Sequence, residues 1–98
     1  MKLQDCRDEI DGIDRRIVTL LNRRAAMVRE IGTIKAGVGM PVIDRHREAK
    51  VLEGLVDASE GMIEDEGLVR IYRTILLECR RIQIQMIECA VADEVAVK

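Results

Sequence analysis

Several polar residues occupy helix faces that their neighbours mark as apolar. Arg24 and Lys35 stand in the run LNRRAAMVREIGTIK, residues 21–35. Each helical residue advances about 100° around the axis. Cys6, Ile10, Ile13, Ile17, Leu21, Val28 and Ile31 therefore share one sector, and both cations fall inside it. Eleven residues apart, Arg24 and Lys35 differ by only about 20° in direction. Arg7 lies at the sector's edge, while Arg15, Arg16, Arg23 and Arg29 point elsewhere. The next segment repeats the pattern with opposite charge. Stepping back by turns from the apolar side at Val51, Leu52 and Leu55 gives Glu48 and Asp44, with Arg47 flanking the stripe. In the last segment Leu68, Ile71, Ile75, Cys79, Ile82 and Met86 form a stripe that contains Gln83. Arg70, Arg73, Arg80, Arg81 and Glu88 are expected on its solvent side.

Charges on an inward face need partners, because burying one unpaired is costly. Two arrangements satisfy this. In one, Arg24 and Lys35 meet Asp44 and Glu48 in an internal network that fixes the helix register. In the other, cations, carboxylates and an amide converge on a small, multiply charged ligand that carries hydroxyl groups. Arginine suits carboxylates, since its guanidinium fork bonds both oxygens. Other chemistry has little to stand on. The single histidine, His46, lies in the charged run DRHRE, too few ligands for a histidine metal site. The only serine, Ser59, belongs to a loop, and GVG at residues 37–39 follows no strand. No nucleophile, metal or cofactor is expected.

Three helical patterns must position these groups: about 3–36, about 43–57 and about 64–91. GVGMP (37–41) and DASEGMIEDEG (57–67) break the chain between them. Strand alternation is missing, so residues 1–98 are read as one all-α domain of three helices. The first pattern implies a rod of about 50 Å, against a radius of gyration of about 13 Å for a compact domain of this length. Its stripe would project into water. The economical remedy is a homodimer with the long helices packed together. One tyrosine and no other aromatic, with net charge −2, argue against a nucleic-acid surface. Cys6, Cys79 and Cys89 lack a CxxC spacing and read as thiols of a reducing compartment, and the five methionines as core filler. With no signal peptide and no membrane span, a cytoplasmic domain is expected.

The chain resembles a family, the small all-helical class of chorismate mutases. The likeness covers about residues 3–90 and rests on CRDEIDGIDRRIVTLLNRR, VREIGTIKAGVGMPVIDRHRE and IYRTILLECRRIQIQ. Its most specific element is the order and spacing of Arg7, Arg24, Lys35, Asp44, Arg47, Glu48 and Gln83. The resemblance implies an intertwined helical homodimer that rearranges chorismate to prephenate without a cofactor or covalent intermediate. It implies that Arg24, with Arg7 from the other subunit, holds the substrate carboxylates. Lys35 and Gln83 would face the ether oxygen. Glu48 would accept from the ring hydroxyl, Asp44 would help through neighbouring backbone, and Arg47 would border the site. Cys79 stands where relatives often carry a small hydroxyl residue near a substrate carboxylate, so a contact there runs through its backbone or its thiol.

Two other readings compete. An isochorismate-pyruvate lyase shares the fold, but in such relatives the loop before helix two is shortened and the Asp44…Arg47–Glu48 pattern altered. A non-catalytic helical dimerisation module would use the polar groups as architecture alone. Met1 and the ADEVAVK end, expected to fray, suggest a stand-alone protein.

Overall fold

The first helix sets the shape. In the computed structural model, which describes residues 2–97 and side chains as far as Cys89, α1 runs unbroken over Leu3–Val38. No proline interrupts this stretch, and 36 residues make a rod of about 54 Å. Asp5 accepts a hydrogen bond from the Lys2 backbone N–H at 3.1 Å and secures its start. Gly39, at φ 72°, takes the left-handed conformation that ends it. The Met40 N–H then donates back to the Lys35 carbonyl at 2.8 Å, and Pro41 prevents further winding.

Helix α2 covers Arg45–Ala58, and its cap is Asp44, whose carboxylate accepts from the Arg47 N–H at 2.9 Å. Helix α3, Asp65–Val97, opens with two acids in its first turn, where the helix dipole favours negative charge. The helix starts and the first two ends lie within two residues of the sequence expectation. The exception is the C-terminus, where α3 runs to Val97, past the expected end near residue 91.

Helix α3 packs on both α1 and α2. The tightest place in the chain is where α3 crosses α1. Gly32, Cys79 and Gln83 are its buried residues among those described. A Cβ on Gly32 would sit 2.8 Å from Met86 Cε and 3.3 Å from Gln83 Cγ. Glycine is what lets α3 come this close. The Gln83 amide uses that proximity, donating from Nε2 to the Val28 carbonyl at 2.9 Å. Only the NH2 end can donate to a carbonyl, so this bond fixes which way the amide faces.

Away from that crossing the chain is open. It extends 63 × 29 × 16 Å with a radius of gyration of 17.6 Å. A compact monomer of this mass exposes about 5,700 Å², whereas this chain exposes 8243 Å². Much of the difference is apolar. Ile10, Ile13, Ile17 and Leu21, the α1 stripe, are all exposed, and Ile71 on α3 is 49% exposed.

The crossing generates a prediction. Gly32→Val adds a branched side chain where even a Cβ is tight, so overpacking is expected to lower stability by about 1–3 kcal/mol. Thermal melting checks this; an unchanged melting temperature would mean that α3 does not press on α1 at this point.

Candidate active site

Above the crossing, the three helices enclose a cavity of about 160 Å³. Helix α1 contributes Arg24, Val28, Ile31 and Lys35, three to four residues apart as one helical face requires. The following loop adds Val42. Helix α2 supplies Asp44, Arg47, Glu48 and Val51, and α3 supplies Leu76, Cys79, Arg80 and Gln83. Of the candidate site residues named from the sequence, Arg24, Lys35, Asp44, Arg47, Glu48, Cys79 and Gln83 line this cavity, and Arg7 does not. Arg7 is exposed and stands seventeen residues before Arg24 on the same straight helix, about 26 Å away.

The polar contacts differ from the internal network considered for the sequence. Arg24 and Lys35 meet neither Asp44 nor Glu48. Arg24 Nη1 donates to Cys79 Sγ at 3.1 Å. This contact accounts for the buried thiol, 8% exposed, facing the cationic wall. Lys35 Nζ donates to the Val42 carbonyl at 3.3 Å. Asp44 is engaged as the α2 cap. Glu48 pairs instead with Arg80, Oε1 to Nη2 at 2.7 Å.

Arg80 is the residue that sequence reasoning misplaced. It was expected on the solvent side of α3, yet it is only partly exposed and lines the cavity. The reason is geometric. A helix packed against two neighbours on different sides has a wider inward sector than one stripe suggests. A signal was present, since Arg80 lies four residues after Leu76 and three before Gln83, both of which face the cavity.

Four cations and two carboxylates line the cavity, a formal surplus of two positive charges. Among the described residues the ion pairs are Glu48–Arg80 and Glu78–Arg81, so Arg24, Lys35 and Arg47 have no carboxylate partner. One N–H of the Gln83 amide is likewise unused. A larger groove of about 510 Å³ runs along the outer side of α2 and α3 past Arg45, Leu52 and Arg73. It lacks this convergence of donors from three helices, so the smaller cavity is the better candidate for recognition.

An all-α three-helix domain with a cationic cavity between its helices is the class that fold and site define. The chain belongs to the chorismate mutase type II family, whose description residues 6–84 match. It is 37% identical over 82 residues to a bifunctional chorismate mutase/prephenate dehydratase of Aquifex aeolicus, covering 80% of this chain and 23% of that protein. A similar bifunctional protein of Neisseria gonorrhoeae is 38% identical over 77 residues, and the chain covers 21% of it. The chain thus spans about a fifth of the length of these relatives. A chorismate mutase of Methanocaldococcus jannaschii is 26% identical over 88 residues, 89% of each chain. The solved chorismate mutase (form II) of Thermus thermophilus superposes with a TM-score of 0.82 at 29% identity, covering 85% of this chain and 94% of that one. Among the described residues, no helix is long and apolar enough to cross a membrane.

The geometry makes a prediction about Arg24. Breaking a buried ion pair from one side costs roughly 3–5 kcal/mol, but Arg24 loses only a bond to a thiol. Arg24→Ala is therefore expected to change stability by no more than about 1 kcal/mol, measured by denaturant unfolding. A loss of several kcal/mol would restore the internal network as its role.

Proposed function

We propose that this chain is a chorismate mutase, working as a dimer in which each site is completed by the other subunit. The observation that carries the reading is the cavity's unmatched charge: Arg24, Lys35 and Arg47 face a shared space without carboxylate partners. Chorismate brings two carboxylates and a ring hydroxyl, which complements such a lining. The reaction breaks the ether C–O bond and forms a C–C bond within one molecule, with no proton, electron or group exchanged with the protein. A site without a nucleophile suits it.

In this reading Arg24 and Arg7 of the second subunit grip the two carboxylates. That grip holds the flexible enolpyruvyl arm in its compact reactive shape and removes the entropic cost of finding it. Cys79 supports Arg24 through the 3.1 Å contact and borders the same carboxylate. Lys35, one of whose N–H groups is held by Val42, and the free N–H of Gln83 act on the ether oxygen. Their effect is larger in the transition state, where that oxygen carries more charge. Glu48 accepts from the ring hydroxyl. Asp44, by capping α2, sets the height at which Glu48 and Arg47 enter the site.

Three features support the dimer. The chain exposes roughly 2,500 Å² more than a compact monomer would, a deficit of the size that an obligate dimer interface makes good. The exposed stripe on α1 is long, apolar and continuous with the cavity wall. Arg7 lies about 26 Å along its own helix from Arg24, so in this reading the Arg7 of each site comes from a second copy. Burying two such stripes against each other would match the intertwined dimer that the family resemblance implies.

The test is chorismate turnover, followed by loss of its ultraviolet absorbance, with prephenate identified by acid conversion to phenylpyruvate. Consumption with that product supports the mutase; release of pyruvate from isochorismate alone would support the lyase; inertness towards both would overturn the enzyme reading. Gln83→Glu supplies a pH test. A carboxyl there has a single O–H, present only when it is protonated, so it can serve the ether oxygen only in that form and only by leaving the Val28 carbonyl. Its activity is expected to fall steeply as pH rises, by on the order of 10²–10³ at the alkaline end, while the wild type stays nearly level. Full activity of this variant at mildly alkaline pH would remove Gln83 from the mechanism.

A further inference from the structure

Glu48 and Arg80 form the one ion pair among the described residues that joins two helices. The atoms are 2.7 Å apart, and the side chains are 29% and 30% exposed. The other pair, Glu78–Arg81, is longer at 3.4 Å, lies within one turn of α3 and is largely solvated. Glu48 and Arg80 also line both the candidate site and the larger outer groove, so the pair stands in the wall between them. Beyond that wall lie Arg45 and Arg73, two cations able to attract a carboxylate away from the site.

Glu48 therefore has competing directions in which to turn, and a glutamate side chain has three torsions with which to do it. The contact with Arg80 removes that freedom. It occupies Oε1 alone; no hydrogen bond from a described residue reaches Oε2. We infer that Arg80 is a positioning residue, which tethers Glu48 by one oxygen so that the other is kept for the ligand's hydroxyl. Resting on the chorismate mutase reading, this inference adds to it a residue that acts through Glu48 and touches no reacting atom. The contact uses a single nitrogen, so a lysine can make it; a bidentate fork is not required.

The experiment is a double-mutant cycle on kcat/KM for chorismate, using Arg80→Ala, Glu48→Gln and the combined variant, each checked for folding by thermal melting. Arg80→Ala is expected to lower kcat/KM on the order of tenfold in the wild-type background and to have little further effect beside Glu48→Gln, as coupled residues do. Arg80→Lys is expected to recover most of the activity. An equal loss in both backgrounds would overturn the inference, since Arg80 would then act on the ligand directly or only through the fold. No loss on Arg80→Ala would overturn it as well. An active wild type with either of those results defeats this inference alone, whereas a wild type inert towards chorismate defeats the underlying reading and this one together.

Discussion

The arrangement depends on how closely α3 approaches α1 at Gly32. A side chain at that position would meet Met86 and Gln83. Without one, the Gln83 amide reaches across to the Val28 carbonyl. That hydrogen bond satisfies a polar group only 6% exposed, which would otherwise cost stability. It also orients the amide. One turn towards the N-terminus of α3, Cys79 meets Arg24 by the same close approach. The packing contact that holds the chain together thus also sets two polar groups of the cavity wall. Because these groups lie on helices, their spacing is set by backbone geometry more firmly than a loop could set it.

The second constraint is electrostatic. Concentrating cations in a small space raises the energy of the empty site, since like charges repel and each loses some hydration. The chain relieves this only in part. Lys35 is held by a loop carbonyl and Arg80 by Glu48, but Arg24 has a thiol for company. A neutralised network would be calmer and less useful, because it would have no attraction left for an anionic ligand. The same economy is visible in the exposed α1 stripe, which a chain of this length has too little of its own surface to cover.

Much of this was legible in the sequence, and for identifiable reasons. Helical period and the Gly–Pro punctuation at 37–41 place the first two helices closely, because α1 ends where Gly39 and Pro41 require it to. The inward cations Arg24 and Lys35 were visible from angular position alone, as was Gln83 within its stripe. What stayed hidden was pairing. Angular position says which face a residue occupies, not which of several nearby opposite charges it meets. Asp44 was free to pair with Arg24 on that information, yet the need to cap α2 takes its carboxylate. Arg80 escaped because α3 packs on two sides at once, and a single stripe underestimates the buried sector of such a helix. The Gln83–Val28 bond was equally out of reach, since it depends on a main-chain carbonyl that carries no sequence signature.

The central claim is that one chain holds an incomplete site, finished by Arg7 from a second copy. Its most direct measurement is a subunit-mixing assay with Arg7→Ala and Arg24→Ala, each inactive or nearly so alone. Random exchange pairs the two variants in half of the dimers, and each mixed dimer has one site with both arginines intact. Activity should therefore rise to about a quarter of the wild-type value on mixing and exchange. If Arg7 served its own chain's site, every mixed dimer would carry two damaged sites, one lacking Arg7 and the other lacking Arg24, and activity would stay at the level of the separate variants. That result would contradict the account.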